Sequence, residues 1–197
     1  MSAPNEFLWA LVGLLLTIAG TFIEIFITNP PWQWAERGLA VESLGITSQI
    51  GAVLLTGCIA GRNAGAVSQV AYVILGLFWL PIFAQGGGLD YFREPSFGYL
   101  LGFIPGAWLS GWLAFRQRPK LEWLALSALA GLLAIHLCGI VYLAGASWLE
   151  VAPEMGLSSD NLWELLRVYS SEPIPGQIIL VCFVAVAAYF FRKLLFY

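Results

Sequence analysis

Charge is what this sequence has least of: 11% of its 197 residues are Asp, Glu, Lys or Arg, with two lysines, Lys120 and Lys193, and a single histidine, His136. A soluble domain needs a polar shell, and a chain that is 59% hydrophobic with mean hydropathy +0.80 cannot supply one at this length. The apolar runs also lack period-two alternation, which excludes barrel strands and leaves helical spans of roughly twenty residues. No basic tract is present to hold nucleic acid. No G-x-x-x-x-G-K-[ST] motif occurs, so the chain is not itself an ATPase, and any uphill transport must draw energy from partners. Cys58, Cys138 and Cys182 fall inside apolar runs without paired spacing. That excludes a disulfide framework or a zinc site and reads them as small buried hydrophobes. The N-terminus has no Lys or Arg before its apolar run and no small-residue cleavage pattern after it, so that run is expected to be a retained span.

What is present is organised around Ala71 to Gly106, two uncharged runs joined by a hinge with Gly86-Gly87-Gly88, Asp90, Arg93 and Glu94, and with Pro81 and Pro95 at its edges. Consecutive glycines allow a close backbone approach that side chains would block. The hinge is therefore expected to lie at a ligand site rather than to be an ordinary surface loop. After it, Gly98, Gly102, Gly106, Ser110 and Ala114 recur every four residues and mark one helix face where a neighbour can lie close. Packing within the chain is favoured there over contact with a partner protein.

The chain is expected to be an all-α membrane protein, a single transmembrane substrate-binding domain over 1–197 with a bundle of about six spans. The first runs from about Phe7 to Ile27 and carries Glu24 near its end, read as an interfacial carboxylate. Thr28 to Ser43 is an interfacial loop. A second span covers about Leu44 to Gly61, a third runs from the Gly61-Arg62-Asn63 turn to Pro81, and a fourth follows Pro95. A fifth covers about Leu121 to Ser147 and holds His136, read as bonded to a neighbouring backbone group or Ser. The last begins at Pro173. Before it, Asn161 and Glu164 suggest a capping box opening a short amphipathic helix at the interface.

Thr47 and Gln49 sit at a membrane boundary where a polar ligand would satisfy groups that lipid cannot, although bonding between helices is an equal alternative. The basic cluster Arg116 to Lys120 belongs in the cytoplasm by the positive-inside rule. Alternation then places Arg62, Arg192 and Lys193 inside as well, six basic residues against Arg37, Arg93 and Arg167 outside. Both termini are expected to be cytoplasmic and the glycine hinge external, in the cell (inner) membrane. An intramembrane enzyme using His136 and Glu24 is disfavoured, because the two lie on different spans with no nucleophile or metal-ligand spacing between them.

Ile46-Thr47-Ser48-Gln49, Tyr72 with Gly76, Leu80-Pro81-Ile82-Phe83-Ala84, Gly86 to Gly88, Pro95 to Leu100 with Gly102-Phe103, and Gly139 to Leu143 together resemble the BioY family. That family is the biotin-binding substrate component of energy-coupling-factor transporters. The match runs from about Ile46 to Trp148. The resemblance implies six helices holding biotin near the outer face, no cofactor, and partnership with a transmembrane coupling protein and two ATPase subunits. It points to Thr47, Gln49, Phe83, Ala84 and Tyr99 as substrate-binding residues, and Gly86 in the glycine hinge and Gln177 at the start of the last span complete the candidate set. Two departures are visible: Glu94-Pro95-Ser96-Phe97-Gly98-Tyr99 stands where the family usually has Gly-Pro-Thr-Gly-Gly-Tyr. Gly176-Gln177 and Leu180 stand where it usually has Gly-Asp and a Lys three residues later. The alternative reading is a related membrane carrier for a different small vitamin-like ligand.

Overall fold

The computed structural model describes residues 3–196. Five of its helices are long and apolar enough to cross a membrane: α1 (Ala3–Thr21), α2 (Gln49–Phe78), α3 (Phe97–Ala114), α4 (Leu121–Trp148) and, after the one-and-a-half-turn helix α5 (Leu162–Leu166), α6 (Ile174–Phe196). The fold is that of a multi-pass membrane protein, and α2 is two rods rather than one. Gly61 breaks it with φ +85° and ψ 176°, a backbone conformation that side-chain-bearing residues rarely adopt. Beyond the break the chain turns back on itself. A Cβ on Gly65 would lie 3.1 Å from Gly57 Cα, and Gln49 bonds Tyr72; in one straight helix those pairs would be separated by about 12 and 34 Å. The arms 49–60 and 62–78 therefore run antiparallel, and the expected bundle of about six spans is present.

The membrane-boundary segments depart from expectation. α1 ends at Thr21, and Glu24–Thr28 forms strand β1, paired antiparallel with β2 (Val41–Thr47) in the register Glu24↔Thr47, Phe26↔Ser43 and Thr28↔Val41. The run Ile23, Ile25, Phe26, Ile27 and Thr28 is β-branched or aromatic and suits a pleated ribbon better than a helix end. Glu24 therefore leaves the first span and accepts a hydrogen bond from the Ser43 hydroxyl. Leu44 to Thr47 belong to the hairpin, not to the second span. The capping box also fails to form: Asn161 makes no side-chain cap, and Glu164 instead pairs with Arg167 at 3.1 Å. Of the cysteines, Cys58 is buried while Cys182 is exposed on the bundle surface.

Small residues hold the rods together. A Cβ at Gly20 would come within 2.9 Å of Gln49 Cα, so α1 lies hard against α2. The stripe on α3 faces α4: a Cβ on Gly98 would meet Tyr142 at 2.2 Å, on Gly102 the Ile135 carbonyl at 2.8 Å, and on Gly106 Ile135 Cγ1 at 2.6 Å. Contacts this close gather dispersion without any need for a hydrophobic driving force. Gly102→Leu should therefore cost about 1–3 kcal/mol by overpacking. Thermal unfolding in detergent checks this; an unchanged midpoint would show that the seam can open without loss.

The bundle has two chemically different ends. Arg62, Arg116, Arg118, Lys120, Arg192 and Lys193 gather where α1 begins and α6 ends, with Arg192 buried and donating to the Ala114 carbonyl at 2.8 Å. The hairpin, the 79–96 loop and the 149–173 segment close the other end.

Candidate functional site

The second end contains a cavity of about 370 Å³, within the usual range for small-molecule sites. Three helices begin at its wall. Gln49 and Ile50 open α2, Ser96 directly precedes α3, and Pro173 directly precedes α6. Each first turn carries backbone N–H groups without intrahelical partners and a partial positive charge, so the cavity favours oxygen acceptors. Its remaining wall comes from Thr47 at the strand-to-helix junction, Ala84 in the glycine hinge, Tyr91, and Tyr99 and Phe103 on α3, with Val168 and Tyr169 above. No charged side chain lines it among the described residues.

Two buried hydrogen-bond systems fix the polar groups. On one side Tyr72 is the hub: Gln49 Nε2 donates to its hydroxyl at 2.8 Å, the hydroxyl donates to the Ile82 carbonyl at 3.0 Å, and Thr21 lies 3.2 Å away. One amide N–H of Gln49 is thereby committed, which fixes the amide's orientation, and its side-chain oxygen has no partner among the described residues. On the other side Tyr99 and Ser170 hydroxyls meet at 2.6 Å, Ser170 lies 3.2 Å from His136 Nδ1, and His136 Nε2 lies 2.6 Å from Gln177 Oε1. His136 thus finds the expected Ser and, in addition, Gln177. Tyr91, beside the cavity, bonds Ser96 at 3.2 Å. Burial pushes its phenol above the ordinary range, the Ser96 bond opposes this and the Glu94 charge adds to it, so the group is a neutral donor at physiological pH.

Of the residues singled out from sequence, Thr47, Gln49, Ala84, Tyr99 and Gln177 come together on one wall system. Phe83 and Gly86 stand behind it. Phe83 is 1% exposed, with its ring 4.6 Å from Tyr91 and 5.3 Å from Tyr72, and its backbone exchanges hydrogen bonds with Gly86 at 2.8 and 3.0 Å. They hold the hinge that carries Ala84. Leu180 does not face the cavity either. It fills the α2–α6 seam, where a Cβ on Gly51 would lie 2.8 Å from its Cδ1. Arg93 is exposed and outside the lining, and the Arg37 side chain lies outside what the structure describes. Sequence reasoning missed Tyr91, Phe103, Tyr169 and Ser170. Of these, Tyr169 had a signal, since it continues the apolar face Leu162, Leu165, Leu166 that turns the 149–173 segment toward the bundle.

A family model described as the BioY family matches residues 2–196. The probable biotin transporter BioY of Lysinibacillus sphaericus is 33% identical, with 75% of this chain and 66% of that protein aligned. The biotin transporter BioY of Thermotoga maritima is 37% identical over 64% of this chain and 71% of its own. An uncharacterised 21.2 kDa protein of Cyanophora paradoxa is 26% identical over 95% of each. In three dimensions the chain resembles a solved S-component for biotin from an ECF-type ABC transporter. The TM-score is 0.66 at 21% identity, covering 98% of this chain and 95% of that one, which is a likeness of fold.

Proposed function

This chain belongs to the BioY family, and we propose that it binds biotin in the cavity described above as the substrate-binding component of an energy-coupling-factor transporter, without catalysing a reaction. The observation that carries the reading is the convergence of Thr47, Gln49, Ala84, Tyr99 and Gln177 on one small uncharged cavity. Its polar groups suit a ureido ring, and Ile46, Ile50, Leu100 and Phe103 suit a thioether ring and an aliphatic tail. The three helix starts offer a carboxylate or carbonyl partial positive charge, each worth about 0.3–1 kcal/mol when exposed and more when partly buried. The alternative of a different vitamin-like ligand rested on the changed Asp and Lys positions. The second of these, Leu180, packs in a helix seam away from the cavity, and the transporters aligned above are named for biotin.

Energy comes, on this reading, from a transmembrane coupling protein with two ATPase subunits. Cells unable to make or import biotin should accumulate labelled biotin when they express this chain together with such partners. Accumulation no greater than in cells with the partners alone would contradict the transport role. Six of the nine basic residues lie at the end opposite the cavity, which supports a cytoplasmic location for both termini and an outward-facing cavity in the cell membrane. In a background without the native cysteines, Asp90→Cys should react with an impermeant thiol reagent in intact cells and Arg118→Cys should not. The reverse pattern would invert the orientation.

A further inference from the structure

We infer that His136 is a positioning residue that fixes the Gln177 side-chain amide with its N–H₂ group turned into the cavity, so that the α6 wall selects an oxygen acceptor on the ligand. The inference rests on the cavity being the ligand site and adds what that wall recognises.

His136 is 6% exposed in the middle of α4, and both ring nitrogens are engaged. A neutral imidazole has one N–H and one lone pair, so the order of protons along the relay decides which way Gln177 faces. With Gln177 Oε1 on His136 Nε2, the ring donates from Nε2, Ser170 donates to Nδ1, and Tyr99 donates to Ser170. Every hydrogen inside the relay then has an acceptor. Turning the Gln177 amide over makes its N–H₂ donate to Nε2 and moves the ring proton to Nδ1, where Ser170 must accept it. The Ser170 hydroxyl hydrogen, or the Tyr99 one unless a ligand in the cavity accepts it, is then left without an acceptor among the described residues. Stranding a buried donor is the costly choice, so the relay holds Gln177 with its nitrogen on the cavity side.

The opposite wall is fixed in the complementary sense, because one amide N–H of Gln49 is held by Tyr72 and its side-chain oxygen has no protein partner among the described residues. α2 and α6 begin side by side and run in the same direction: a Cβ on Gly176 would lie 3.0 Å from Ile46 Cδ1, and Leu180 packs on Gly51. A fixed acceptor on one helix start thus stands beside a fixed donor on the next. A group that carries N–H and C=O in adjacent positions, as a ureido or cis-amide edge does, matches that pair. An acidic side chain at 177 would offer no donor, so it is the amide that lets this wall select an acceptor.

Equilibrium binding of biotin and of 2-iminobiotin, which has a donor nitrogen where biotin has its ureido oxygen, tests this on purified full-length protein. Wild type should prefer biotin by about 10- to 100-fold. His136→Leu frees the amide to turn and should reduce that preference about tenfold or more, while His136→Gln, whose N–H can still reach Gln177 Oε1, should restore part of it. Gln177→Glu should remove the preference with His136 intact. A merely structural His136 predicts equal weakening of both ligands and an unchanged ratio, which would overturn the inference. The same holds for an unchanged ratio in Gln177→Glu, which carries the test if His136→Leu does not fold. A wild type that favours 2-iminobiotin shows the amide turned the other way and also overturns it. Failure of wild type to bind either ligand removes the site reading itself, a result distinct from binding without selectivity.

Discussion

Gly76→Val is expected to abolish biotin binding at micromolar ligand and to lower thermal stability. A Cβ at Gly76 would lie 2.1 Å from the Phe83 ring, and that ring is 1% exposed between Tyr72 and Tyr91. It has no room to retreat. The Gly76 carbonyl also accepts the Gly88 N–H at 2.9 Å, so the helix and the hinge are tied at this point from both sides. Forcing Phe83 out costs about 1.5–3 kcal/mol of lost burial, with overpacking strain of about 1–3 kcal/mol if it stays. Its displacement moves Ala84 from the cavity wall and pulls the Ile82 carbonyl from the Tyr72 hydroxyl, which in turn releases Gln49. Labelled-biotin binding and thermal unfolding measured together give the answer. Wild-type affinity in Gly76→Val would show that the hinge does not set the geometry of the cavity.

Gln49→Ala is expected to weaken biotin binding by about 1–3 kcal/mol, about 10- to 100-fold. The substitution removes the fixed acceptor and leaves the ligand's N–H without a partner inside the cavity. Tyr72 keeps its bond to the Ile82 carbonyl, so the protein should remain folded. Tyr99→Phe should act more gently. It deletes the first donor of the His136 relay while the ring still stacks on Tyr169 at 6.1 Å and meets His136 edge-on at 5.6 Å. Titration calorimetry on both variants separates the two roles. Equal affinities for wild type and Gln49→Ala would place the ligand elsewhere.

The helices were legible because lipid imposes a simple rule: uncharged runs of sufficient length become spans. The Gly61 reversal was legible too, since a glycine beside Arg62 and Asn63 interrupts an otherwise apolar stretch. The hairpin was not. Phe22 to Thr28 is apolar enough to continue α1, and only its pairing with Val41 to Thr47 turns it into a strand, a long-range contact that local hydropathy does not register. Gln49 stood out because an amide in an apolar setting needs partners, and Gln177 because it opens the last span where the resembling family usually has Asp. Phe83 was pointed to by the resemblance and Gly86 by the glycine hinge, and the structure puts both one layer behind the wall. The wiring of His136 through Ser170 to Tyr99 joins residues on α4, on the 149–173 segment and on α3, and no spacing within the chain encodes it.

The most direct test of the central claim is equilibrium binding of labelled biotin to the purified wild-type protein, with unlabelled biotin as competitor and Gln49→Ala alongside. The account predicts saturable, competed binding at micromolar ligand or below, weakened about 10- to 100-fold in the variant. Absence of saturable binding to a folded wild type would contradict it.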